Sequence, residues 1–261
     1  MKKNKNSISK ILTALILAGI ATSSFASDNS IYIDQSGDNA TITMVQDGAA
    51  NRVKGINGSN STPAIIYGDG ATVDITQTGS GNSLDLGVKT GQAGGISSSI
   101  KYIVTGNTGT AVIDMNSLGS TPSLANSIDV LQVGDNTATN IQMTGSNNYL
   151  KAIQTGGNNN KFNATVNAGN TSVDVNQTGG GGNETTLNLT GNKGTVDIVT
   201  VGASNIIGIT QSGGGVNGHY AKVDLNGSSN NVSISQSGSI DMNTNIKSAG
   251  NGNTFSIIQR N

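Results

Sequence analysis

The stretch Thr72-Val73-Asp74-Ile75-Thr76-Gln77-Thr78-Gly79-Ser80-Gly81-Asn82 decides the fold. Val73, Ile75 and Gln77 alternate with Thr72, Asp74 and Thr76, and a period of two puts each set on its own face of a strand. The run from Gly79 to Asn82 carries turn chemistry. The Gln-x-Gly core of this phrase recurs at Gln35-Ser36-Gly37, Gln46-Asp47-Gly48, Gln132-Val133-Gly134, Gln154-Thr155-Gly156, Gln177-Thr178-Gly179, Gln211-Ser212-Gly213 and Gln236-Ser237-Gly238. Degenerate copies without the Gln stand at Thr190-Gly191-Asn192, Val201-Gly202, Asn226-Gly227 and Ala249-Gly250. Neighbouring turns lie about 11 residues apart in the regular stretches, so two strand-turn units make a repeat of about 22, in the solenoid range. One unit has too little apolar surface to stand alone and must stack on another, from the same chain or from a second molecule.

Composition agrees with strands and turns. The chain has 261 residues, 37 Gly, 2 Pro, no Cys and no Trp, and only 11% of it is charged. A Gly-rich polar chain is often disordered. Here short runs of Val, Ile and Thr bounded by Gly and Asn oppose that reading. Residues 1–26 read as a signal peptide: Lys2, Lys3, Lys5 and Lys10 form a basic region, Ile11 to Ile20 an apolar one, and Ser24-Phe25-Ala26 the small-residue site, with cleavage after Ala26. The apolar run is too short to span a membrane. The expected localisation is extracellular, on a cell-surface fibre, after Sec-dependent export. The mature chain, residues 27–261, keeps ten basic against fifteen acidic residues, a net charge of −5. That gives no electrostatic footprint for nucleic acid and no basic amphipathic stretch for anionic lipid, and no transmembrane segment is expected in the mature chain.

Strands are expected at 72–77, 127–132, 149–154, 172–177, 206–211, 232–236 and 254–259. In each the Gln shares a face with Val, Ile or Leu, so it points inward. A buried amide without partners costs about 1–3 kcal/mol. In rungs roughly 4.8 Å apart, each Gln can bond the one above and the one below. The expected ladder consists of Gln35, Gln46, Gln77, Gln132, Gln154, Gln177, Gln211, Gln236 and Gln259. A second consists of the Asn after each turn: Asn39, Asn51, Asn82, Asn136, Asn158, Asn183, Asn205 and Asn230. Ordinary turn chemistry also accounts for these Asn residues, and the two roles are compatible. The stretch 87–126 is irregular, with loops at 91–99 and around Pro122, and Pro63 begins or breaks a strand. The expected fold is all-β: a solenoid of two strands per rung, about ten rungs and about 50 Å long, edged by Gln and Asn ladders.

The phrase Gln77–Asn82 resembles the curlin repeat, the unit of bacterial curli fibre subunits, whose pattern is Gln-x-Gly-x-Gly-Asn with a second Gln about 11 residues after the first. Gln35 and Gln46 match that pair, with Asn39 one residue early, and Gln46 to Asn51 keeps the Asn spacing. The resemblance covers most of residues 31–259. It implies an extracellular two-sheet β-solenoid that polymerises end to end into amyloid fibres of a biofilm matrix. The partners it implies are further copies, related curlin-like subunits and an outer-membrane export or nucleation factor.

Other chemistries are weaker. Apolar-Asp-apolar recurs at Asp74, Asp85, Asp129, Asp174, Asp197 and Asp224, which reads as a solvated outer face rather than a calcium column, because calcium solenoids repeat every nine residues. Gly179–Gly182 and Gly213–Gly215 are wide turns, not phosphate loops, since neither Lys-Ser nor Lys-Thr follows. His219 is the only His and reads as a loop residue, not a metal ligand. Neither a Ser-His-Asp set nor an isolated carboxylate pair stands out, so no catalytic residue, metal or cofactor is expected. Threonine arrays of the ice-binding kind are interrupted by Asp, Lys and Ser. The expected function is structural self-assembly. The alternative is a monomeric secreted solenoid adhesin with capped ends. The strand 254–259, followed by Arg260 and Asn261, is expected to be an uncapped growth edge.

Overall fold

The computed structural model describes residues 28–31, 33–36, 41–56, 62–67, 72–90, 99–117, 127–135, 137–146, 148–157, 159–169, 171–179, 181–190, 194–214 and 216–261. The expected signal peptide, Tyr32, Asn39, Asn136, Asn158 and Pro122 lie outside these residues. Eighteen strands are numbered in chain order. The first sheet holds β1 (Asp34–Ser36), β3 (Ile65–Tyr67), β5 (Leu86–Thr90), β7 (Thr110–Ser117), β9 (Ala138–Ser146), β11 (Lys161–Gly169) and β13 (Glu184–Leu189). The second holds β2 (Thr41–Gln46), β4 (Thr72–Gln77), β6 (Ser99–Thr105), β8 (Ser127–Val133), β10 (Tyr149–Thr155), β12 (Ser172–Thr178), β14 (Thr195–Val201), β15 (Tyr220–Asn226) and β17 (Asn243–Ala249). A short pair, β16 (Val232–Ile234) and β18 (Phe255–Ile257), follows the line of the first sheet.

All pairings between these strands are parallel. From β1 to β14 consecutive strands fall on opposite sheets, so the chain coils as a β-solenoid. Both sheets run together for about seven turns, fewer than the expected ten. Where an eighth strand of the first sheet would lie, residues 206–211 make only a bridge from Ile207 to Thr185 and another to Val232. Gly208 interrupts this run, and Ile209 has a φ of 90°, which no ladder strand adopts. The expected strand at 206–211 is therefore corrected to an isolated bridge. Within 87–126, β5, β6 and β7 take their places in register with their neighbours. Ser99, expected in a loop, begins β6.

The core lies between the sheets. Along β8, Ile128, Val130 and Gln132 are buried while the residues between them are not, and β10, β12 and β14 repeat the pattern. Tyr102 and Phe162 are the largest fully buried side chains. Outward positions form columns too. Asp74, Lys101, Asp129, Lys151, Asp174, Asp197 and Lys222 share one column of the second sheet. Its sign alternates along most of its length, so neighbouring rungs attract instead of presenting a stack of carboxylates.

Candidate functional site

The inward amides sit where each strand meets its turn. Gln46, Gln77, Gln132, Gln154, Gln177, Gln211 and Gln236 are buried; Gln35 is half-buried and Gln259 exposed. They do not form a single column. Gln46, Gln77, Gln132, Gln154 and Gln177 end strands of the second sheet, with Val104 between Gln77 and Gln132. Past Gln177 that column continues as Thr200 and Leu225. Gln35 lies on the first sheet, beside Ile66. Gln211, Gln236 and Gln259 lie on the line of the first sheet as well.

Rung-to-rung amide bonds join Gln154 Nε2 to Gln132 Oε1 at 2.9 Å and Gln177 Nε2 to Gln154 Oε1 at 2.8 Å. On the other line, Gln211 Nε2 donates to Gln236 Oε1 at 2.8 Å and Gln236 Nε2 to Gln259 Oε1 at 3.0 Å. Each buried Gln also donates across its own turn, to a backbone carbonyl six to nine residues further on. Gln77 reaches Ser83 O at 3.2 Å, Gln154 reaches Lys161 O at 2.9 Å, Gln177 reaches Glu184 O at 3.2 Å and Gln236 reaches Asn243 O at 3.0 Å. Gln46 donates in the same way to Arg52 O. The Gln therefore clasps the arc between the two sheets as well as the rung beside it. Period-two reasoning places the amide inward but carries no signal for this clasp.

The Asn column occupies the first corner of the first sheet. Asn51 Nδ2 donates to Asn29 Oδ1 at 3.3 Å, Asn82 to Asn51 at 2.7 Å, Asn205 to Asn183 at 3.0 Å, Asn230 to Asn205 at 2.6 Å and Asn253 to Asn230 at 2.5 Å. Every one of these bonds points the amide toward the preceding rung and the oxygen toward the following one. Asn29 and Asn253 were not anticipated. Thr137 and Asn160 hold buried corners and bond each other at 2.5 Å. Asn160, two residues after Asn158, was also missed.

Orphaned polar atoms mark the breaks in these columns. Among the described residues, Asn82 Oδ1, Thr200 Oγ1 and Gln211 Oε1 have no partner. Their neighbours at those levels include Gly109, Leu225 and Leu189, which offer no side-chain hydrogen bond. Turn length matters as well. Where a buried Asn follows the strand's last inward residue by five positions, its Nδ2 also bonds the carbonyl of the turn glycine, as Asn82 does to Gly79 at 3.2 Å and Asn205 to Gly202 at 3.1 Å. Where it follows by six, as from Gln154 to Asn160 and Gln177 to Asn183, Nδ2 is orphaned.

His219 lies outside the strands, as a loop residue would, yet it is buried, with Nε2 3.1 Å from Ser212 O. No group of three or more His, Cys, Asp or Glu residues placed to hold a metal ion occurs among the described residues. No helix among them is long and apolar enough to cross a membrane. Comparison with family models, curated proteins and solved structures finds no match.

Proposed function

We propose that the chain is a secreted structural subunit that extends itself molecule by molecule, adding rungs end to end into curli-like amyloid fibres of a cell surface or biofilm matrix. The fold on which this rests is a parallel β-solenoid, whose edge strands β1, β2, β17 and β18 carry backbone groups without a neighbouring strand among the described residues.

The observation that carries the proposal is the polarity of the Asn column. Asn253 uses its amide on Asn230 Oδ1 and on Ser248 Oγ at 2.6 Å, so what it can offer a neighbour is its carbonyl oxygen. Asn29, at the other end of the column, receives Asn51 on its oxygen, so what it can offer is its amide. A donor end and an acceptor end fit head to tail. Two like ends would set donor against donor or acceptor against acceptor. The apolar side chains fit the same arrangement. Phe255 and Ile257 are 42% and 43% exposed, whereas Val232 and Ile234, in register one rung earlier, are fully covered. Covering such side chains is worth about 1.5–3 kcal/mol each when complete.

Curlin-like partners and an export or nucleation factor follow from the resemblance at Gln77–Asn82. Thioflavin fluorescence of purified residues 27–261 over time tests the proposal. A fibre former gives a lag and then a rise, and sheared product abolishes the lag. A flat trace with monomeric protein would instead fit a capped adhesin.

A further inference from the structure

We propose that the outer face of the second sheet carries a binding trough for a straight, neutral oligosaccharide, bounded by Tyr149 and Tyr220. Tyr149, Ser172, Thr195 and Tyr220 form one column in register across β10, β12, β14 and β15. The tyrosines are thus three rungs apart, roughly 14 Å along the solenoid axis. Between them the column falls to two short hydroxyl side chains, and the resulting trough has a volume of about 380 Å³. Asp174 and Asp197, in register with one another, form its side wall.

This set of groups suits a sugar chain. A tyrosine ring offers an apolar face and a polar tip, the complement of a pyranose with its C–H face and its rim of hydroxyls. Ser and Thr hydroxyls both donate and accept, and carboxylates accept, so the floor and wall can meet sugar hydroxyls of either sense. The charges exclude an ionic ligand. Asp197 is paired with Lys222 at 2.9 Å, and Asp174 stands in register beside Lys151. Two carboxylates and two ammonium groups leave the trough without net charge. It follows one in-register column over adjacent rungs, which favours an extended glycan over a coiled one. Because the trough lies on the side wall, rung stacking at the ends would leave it open, and a fibre would present one per molecule, a multivalent array.

The test is isothermal titration of residues 27–261 with cellohexaose and xylohexaose as straight neutral probes, maltohexaose as a coiled one and an oligogalacturonate as a charged one. Saturable binding of a straight neutral probe is expected. Tyr149→Ala, Tyr220→Ala and the trough-filling Ser172→Tyr should each weaken it about tenfold or more, which corresponds to about 1.4 kcal/mol. Tyr149→Phe, which keeps the ring, and Thr43→Ala, exposed elsewhere on the sheet, should bind as the parent does, and circular dichroism should be unchanged throughout. Failure of both straight probes to bind, tighter binding of the coiled or charged probe, or binding that survives all three disruptive substitutions would overturn the assignment. Thioflavin kinetics on the same samples report assembly separately, so loss of one property does not obscure the other.

Discussion

At Gln177 a single amide serves two neighbours. Its Nε2 donates to Gln154 Oε1 and to Glu184 O, while its oxygen accepts from Thr185 Oγ1. Replacing the amide by a carboxylate removes both donations and aims negative charge at two carbonyl oxygens in a fully buried site. Gln177→Glu should therefore lower stability by several kcal/mol at neutral pH, with part recovered on acidification as the carboxyl protonates. A urea melt at two pH values measures this; equal midpoints for mutant and parent at neutral pH would refute the burial argument. Tyr102 gives a second test. Its hydroxyl donates to Gln77 Oε1 at 2.8 Å, and burial pushes its phenol well above the ordinary value of 10.0. A raised pKa in the folded state stabilises the protein fully below the unfolded value and progressively less as pH rises above it. Stability should fall above about pH 10, and Tyr102→Phe should flatten that fall while costing about 1–2 kcal/mol at neutral pH. A parent whose midpoint does not drop more steeply than the mutant's in alkali would contradict it. The inward direction of Gln77, Gln132, Gln154, Gln177 and Gln236 was legible because their strands keep a strict period of two. Their division between two sheets was not, since it depends on how many strands intervene, and the degenerate units hide that number.

At the scale of elements the turns set the register. The glycines that close the second sheet's strands stack in a column, and Gly134, Gly156 and Gly179 have φ of 128°, 74° and 114°. A Cβ on Gly179 would lie 2.8 Å from the nitrogen of Gly156, so both its backbone conformation and the rung spacing require a glycine. The four glycines Gly179–Gly182 exceed that need by one residue, and this extra length accompanies the orphaned Nδ2 of Asn183. Deleting one glycine restores the five-residue spacing and lets Asn183 bond the turn carbonyl, as Asn205 does. The expected gain is about 1 kcal/mol, read as a higher melting temperature. A lower melting temperature would show that the longer turn has a packing role of its own. Strand positions at 72–77, 127–132, 149–154 and 172–177 were readable because apolar side chains recur at every second position there, up to the Gln. The run 206–211 has the same alternation on paper. Gly208 and the left-handed Ile209 defeat it locally, a conflict visible only once the backbone is placed.

The whole molecule is a winding of about seven regular turns followed by a looser end, rather than ten equal rungs. Composition and period sufficed for the parallel two-sheet coil; the number of turns did not follow from them, because a turn and an insertion carry the same Gly, Ser and Asn. The Asn–Asn bonds of the corner column all run in one direction, with Asn29 offering a donor and Asn253 an acceptor, and the proposed head-to-tail growth depends on that direction. The chain has no cysteine of its own, so introduced thiols report contacts cleanly. If β18 of one molecule continues the first sheet into β1 of the next, with Gln259 level with Gln35, then Ile258 falls beside Asp34. In-register parallel neighbours are within disulfide reach. The decisive measurement is oxidative cross-linking of assembled Ile258→Cys and Asp34→Cys single mutants, each alone and mixed. The account predicts covalent dimers in the mixture and essentially none in either mutant alone. Cross-linking within a single mutant, or none in the mixture although fibres have formed, would contradict head-to-tail stacking.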